Sequence, residues 1–183
     1  MNSKEDKILE LFFNEGSKHW HFGDIVQEAR ISQDRANFWL KKLIKDKMIL
    51  YIKQNGKMPH YIANFGHPNY ICKKKLYALE KFYESGFLSH LNSLNEIDTI
   101  VLFGSFSRSD WHAQSDIDLF IIGNDKNFNL KKYETILKRD IQLFSFKNKD
   151  EVKKTNSHLI NNILNGYFIK GSVQNIIEVP KNA

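Results

Sequence analysis

Asp116-Ile117-Asp118 sets two carboxylates two residues apart at the head of an apolar run, Leu119 to Ile122. On a strand alternate side chains share a face, so both acids project together, ~6.5 Å apart, while Ile117 turns toward the core. At that separation and an effective dielectric near 20 their repulsion is about 2.5 kcal/mol. A cation relieves it. Hard oxygen ligands select magnesium or manganese, and magnesium takes its remaining ligands from water and substrate phosphate. Asp140 opens a later strand carrying Ile141, Leu143 and Phe144, and an adjacent strand would bring this third carboxylate to the same cluster.

Upstream, Ile100 to Phe103 is a continuous apolar run of the kind expected for a strand covered on both faces. It ends at Gly104-Ser105. Glycine lets an anion approach the backbone, serine adds a hydroxyl donor, and a short helix starting there would present its N–H groups to phosphate. Gly-Ser alone is a weak pattern and recurs at Gly171-Ser172. Its weight comes from the combination: ten residues separate Ser105 from Asp116.

The elements that position these residues can be read from periodicity. Ile8, Leu9, Leu11, Phe12 and Phe13 predict a first helix over 4–13; Ile25, Val26 and Ala29 mark a second. Ser32 is placed to cap a third through its side chain. In that helix Ala36, Leu40, Leu43 and Ile44 form the apolar side, leaving Asn37, Lys41 and Lys45 along the opposite side. Strands over 49–53 and 58–63 follow around Asn55-Gly56, a pair suited to positive φ, with Pro59 favouring an edge position. Gly66 and Pro68 mark a boundary, so the expected domains are 1–66 and 67–183. The second opens with a linker helix over 70–94 whose weak point is Gly86. Residues 150–166 predict a closing helix, and residues 178–183 a frayed end.

With 183 residues, 42% apolar and 26% charged, the composition is globular, and ~150 residues per domain allows one domain or two small ones. No apolar run approaches the ~20 residues of a membrane span, and MNSKEDK lacks a secretory signal's apolar stretch. The single cysteine, Cys72, permits no internal disulfide. A cytoplasmic location without membrane association is therefore expected. The net charge of +6 is locally concentrated: Lys41, Lys42, Lys45, Lys47, Lys53 and Lys57 face only Asp46 across 41–57. Such a stripe supplies salt-sensitive nucleic-acid affinity, and its alternative is a solvated lysine face. His19 and His21 show no third ligand, and Trp20 and Phe22 beside them read as loop packing, so no zinc is expected. Trp111 and His112 lie between the glycine turn and the acid pair, where either could approach a base or stand in a loop.

The combination of Gly104-Ser105, ten residues, Ser115-Asp116-Ile117-Asp118-Leu119 and the later Asp140 resembles the DNA polymerase beta-like nucleotidyltransferase superfamily, in particular its minimal branch. Arg108 matches the arginine that often follows the serine, whereas Ser109 stands where many relatives carry glycine. Separately, the helices and hairpin over residues 3–65 resemble a winged helix-turn-helix. Together these resemblances imply an α+β chain, a winged helix followed by a nucleotidyltransferase domain whose mixed sheet is flanked by helices.

The enzyme resemblance implies two magnesium ions held by Asp116, Asp118 and Asp140, with ATP or another nucleoside triphosphate as substrate. Gly104 and Ser105 would cradle terminal phosphates, and Arg108 would pair with the triphosphate or, alternatively, with Asp110 at the surface. Asp140 would serve the metal facing the nucleophile or form only a surface pair. AMP transfer to a hydroxyl is the implied reaction. Small helical toxins of the HEPN type are frequent partners in the minimal branch, which makes a toxin-antitoxin role an expectation. The winged-helix resemblance implies double-stranded DNA as partner, with Gln33, Asn37, Lys41 and Lys45 toward the major groove, Lys53 and Lys57 toward phosphate, and a homodimer as a common arrangement. The alternative is a nucleotide-sensing transcription regulator with a non-catalytic fold. Transfer to an aminoglycoside or an RNA end ranks below both.

Overall fold

The computed structural model describes residues 3–177, so the frayed end expected over 178–183 lies outside the described residues. The chain forms two compact units: Met1–Lys74 with Trp111–Gln114, and Lys75–Asp110 with Ser115–Ala183.

In the first unit, α1 (Lys4–Asn14), α2 (Phe22–Ala29) and α3 (Gln33–Lys45) precede β1 (Ile49–Ile52) and β2 (His60–Ala63). Ser3 and Asp6 make a reciprocal capping box at the start of α1, satisfying donors the first helical turn leaves open. Ile8, Leu9, Phe12 and Phe13 are fully buried, as their spacing requires; Trp20, Ile25, Leu40 and Leu43 are buried too, and the Phe12 and Trp20 rings lie 6.3 Å apart. Tyr70 donates its hydroxyl to the Phe12 carbonyl at 3.0 Å. Ser32 occupies the N-cap of α3 in extended backbone, but its side chain makes no capping bond. The two strands are antiparallel, from Ile49 opposite Ala63 to Ile52 opposite His60. They are shorter than the sequence suggests. Seven residues connect them, so only Gly56 of the Asn55-Gly56 pair needs positive φ.

Trp111 belongs to this unit and is 3% exposed. Its ring lies 5.9 Å from that of Phe13, the Lys74 ammonium sits 4.6 Å from its centroid, and the Ala113 N–H donates to the Asn14 carbonyl at 2.9 Å. Packing of this kind removes Trp111 from the set of side chains able to approach a base.

The second unit carries a four-stranded mixed sheet in the order β5-β4-β3-β6, made of β3 (Ile97–Phe103), β4 (Ile117–Gly123), β5 (Ile141–Phe146) and β6 (Tyr167–Lys170). Strands β3 and β4 run antiparallel, β3 and β6 antiparallel, and β4 and β5 parallel. The two central strands are the continuous apolar runs of the sequence, and Ile100 to Phe103 and Leu119 to Ile122 are all buried. One face gathers Val101, Phe103, Phe120 and Ile122 with Val152 of the helix Lys149–Lys153 and Ile163 of the helix Ser157–Leu164. The helix expected over 70–94 is two: α4 (Pro68–Glu84) and α5 (Phe87–Ser93). Gly86 separates them at φ +73, a left-handed conformation that continues no helix.

Candidate active site

Strand β3 delivers its last residue, Phe103, into a sharp turn that opens α6 (Gly104–Arg108). Gly104 takes φ +68, and Ser109 closes the turn at φ +67. The left-handed closure explains why glycine suits position 109: serine carries a Cβ penalty there. Within the turn the Ser107 hydroxyl donates to the Gly104 carbonyl at 2.9 Å. The Ser105 hydroxyl is buried and has no hydrogen-bond partner among the described residues. A buried polar atom left this way costs stability, and an incoming acceptor such as a phosphate oxygen would satisfy it.

Antiparallel register sets Asp118 opposite Phe103, immediately beside the turn. A Cβ placed on Gly104 would stand 2.0 Å from Asp118 Oδ2, so the carboxylate occupies the space a side chain would take. Ile117 is fully buried between exposed Asp116 and half-buried Asp118, the alternation a strand imposes. Desolvation raises the Asp118 pKa, the Asp116 charge raises it further, and Arg108 opposes both. The carboxylates are thus electrically coupled, with one guanidinium within range.

Arg108 also forms the surface pair: its Nε donates to Asp110 Oδ2 at 3.0 Å, and both side chains are more than half exposed. An exposed pair of this kind is weak and exchanges readily for phosphate. Asp140 sits just ahead of β5, its carbonyl accepting the Ile117 N–H at 2.9 Å. Parallel pairing of Ile117 with Ile141 brings it to the end of the sheet that carries Asp116. Its backbone, rather than its exposed carboxylate, makes that contact. No group of three or more His, Cys, Asp and Glu side chains is disposed to hold a metal among the described residues. The donor chemistry nevertheless fits a divalent cation at Asp116 and Asp118: two hard, mutually repelling oxygen donors, one of them partly desolvated.

Arg139 is a site residue that sequence reasoning missed. Its Nη1 donates to the Ser115 carbonyl at 3.0 Å, and its guanidinium lies 5.2 Å from the Phe106 ring centroid. It therefore braces the chain just ahead of Asp116 against the helix that follows Gly104. Its adjacency to Asp140 was the sole available signal.

In the first unit Gln33, Asn37, Lys41 and Lys45 are exposed along α3, and Lys53 and Lys57 are exposed between β1 and β2.

Residues 88–172 match the family model described as polymerase beta, nucleotidyltransferase, and the chain carries a polymerase beta-like nucleotidyltransferase domain there. No curated protein matches the chain. Among solved structures, a toxin-antitoxin complex with AMP-PNP is 22% identical, with TM-score 0.36, over 52% of this chain and 74% of that one. A mutant of the toxin-antitoxin MntA-HpeT is 18% identical, with TM-score 0.34, over 55% and 75%. A nucleotidyltransferase structure from Sulfolobus solfataricus is 13% identical, with TM-score 0.32, over 62% and 98%. No helix among the described residues is long and apolar enough to cross a membrane.

Proposed function

We propose that this chain is a cytoplasmic, divalent-metal-dependent nucleotidyltransferase that moves AMP from ATP to a hydroxyl acceptor, the acceptor oxygen bonding to the α-phosphorus as the α–β anhydride breaks and pyrophosphate leaves. The observation that carries the reading is the approach of Asp118 to a glycine turn whose Ser105 hydroxyl is buried and unsatisfied. Asp116 and Asp118 would hold magnesium, and Asp140 would complete the set toward the nucleophile. When bound, magnesium supplies charge neutralisation for the triphosphate and a more acidic acceptor hydroxyl. The chain's own groups do the rest. The Ser105 hydroxyl and the backbone N–H groups of the turn bind terminal phosphate oxygens. Arg108 exchanges Asp110 for the triphosphate, and Asp140 takes the acceptor's proton.

The acceptor in this proposal is a hydroxyl of a HEPN-type partner, in keeping with the Ser-Asp-Ile-Asp-Leu pattern of the minimal branch. The first unit would be a winged helix-turn-helix on double-stranded DNA, with Gln33, Asn37, Lys41 and Lys45 toward bases and Lys53 and Lys57 toward phosphate. Incubation with labelled ATP, magnesium and a HEPN-type protein tests the reaction. Label should reach the partner with the native chain and not with Asp116→Asn; equal labelling by both chains would refute it.

One observation favours a second reading, a regulator that senses nucleotide without catalysis: the Asp140 carboxylate does not join a three-acid cluster. Binding of ATP with no pyrophosphate release, accompanied by altered DNA affinity, would select that reading.

A further inference from the structure

His60 meets His19 and His21, which lie far earlier in the chain, in the first unit. Trp20 and Tyr61 exchange backbone hydrogen bonds at 3.0 and 2.8 Å, which pins the chain before α2 alongside β2. His19 then stacks on His60, ring centroids 4.2 Å apart and planes 11° from parallel. His21 meets His60 edge-on at 6.2 Å and donates its Nδ1–H to the Pro59 carbonyl at 2.9 Å. All three line a cavity of about 620 Å³, together with Lys57 and Gln54. None of the lining residues is acidic. Glu15 is paired with Lys18 at 3.0 Å, and Asp24 stands in the first turn of α2.

Parallel stacked imidazoles cannot both aim ring nitrogens at one ion, and this cluster is not disposed to hold a metal. It has the opposite chemistry. Imidazole N–H groups and the Lys57 ammonium are donors suited to an anion, and His21 stands at the N-cap of α2, where the helix dipole adds positive potential. The volume exceeds that of a lone oxyanion, and Ile52, Ile62 and Met58 supply an apolar wall. We infer that this cavity binds a phosphate-bearing nucleotide unit, its phosphate among His19, His60 and Lys57 and its apolar part against the isoleucines. The inference shares Lys57 with the DNA reading and stands without it. It is also independent of the transferase reaction.

Histidine resonances of the full chain, isotopically labelled and held in EDTA, give the test. Inorganic phosphate, AMP and a DNA duplex are titrated in turn. Phosphate and AMP should shift the His19 and His60 resonances. Lys57→Gln should weaken binding several-fold on those resonances, and His19→Gln with His60→Gln should weaken AMP binding measured by calorimetry. Displacement of AMP by duplex identifies the ligand as nucleic-acid backbone; shifts by AMP that duplex leaves intact identify a free nucleotide. Silence of both resonances toward all three probes overturns the inference, and that readout needs no variant. Stoichiometric capture of zinc by the three histidines in a parallel titration without EDTA also overturns it.

Discussion

Gly104 and Asp118 exclude a side chain between them: a Cβ on residue 104 would lie 2.0 Å from the Asp118 carboxylate oxygen. Backbone conformation reinforces this, since Gly104 takes φ +68. Gly104→Ala should therefore destabilise the second unit by at least about 1–2 kcal/mol and abolish nucleotide transfer. Urea denaturation and pyrophosphate release check the two effects. An unchanged midpoint with full activity would show that the turn and the acid are not in contact.

Asp118 carries a raised pKa, from desolvation first and Asp116 second. A carboxyl whose folded value exceeds its unfolded value contributes stability at low pH, and that contribution disappears as pH rises through the folded value. At neutral pH the ionised group then opposes folding. Asp118→Asn should raise the denaturation midpoint at pH 7 in EDTA, with the gain shrinking as the pH falls below the carboxylate range. Added magnesium should stabilise the native chain and leave the variant unmoved. A variant less stable than the native chain at pH 7 would contradict the electrostatic account.

Ser109 holds φ +67 at the close of the same turn. Glycine adopts that conformation without a Cβ penalty, so Ser109→Gly should add roughly 0.5–1 kcal/mol of stability. Thermal unfolding measures the gain, and a loss would mean that the serine contributes contacts outweighing its backbone strain.

Arg139 ties the Ser115 carbonyl while lying over Phe106. Lysine cannot reproduce a planar guanidinium doing both. Arg139→Lys should raise the KM for ATP several-fold with a smaller change in kcat, because it loosens the approach to Asp116 without removing a ligand. Loss of about 1.5–3 kcal/mol in stability is expected from the broken charged hydrogen bond. Steady-state kinetics with an unchanged KM would assign Arg139 a purely structural part.

Local features were legible where chemistry and backbone sit within a few residues of each other. The apolar runs ending at Gly104 and starting after Asp116 became the central strands, and Asp118 fell beside the glycine turn. Gly86 was visible as a weak point, yet composition alone did not say that it would split one helix into two. Ser32 has the right residue type for a capping side chain and makes no such bond. The contacts that escaped join distant positions. His60 reaches His19 across a strand pairing, Arg139 reaches Ser115 across 24 residues, and Trp111 reaches Phe13 from a separate part of the chain. Periodicity reports which face of an element is apolar, and it does not report which partner covers that face.

Because Trp111–Gln114 belongs to the first unit, the polypeptide leaves that unit after Lys74, returns for four residues and departs again. No single cleavage can therefore release either half complete. Severing the chain at Lys74 would strip the Phe13 ring and the Lys74 ammonium of the indole they share, so a fragment ending there should show a loosened amino-terminal core.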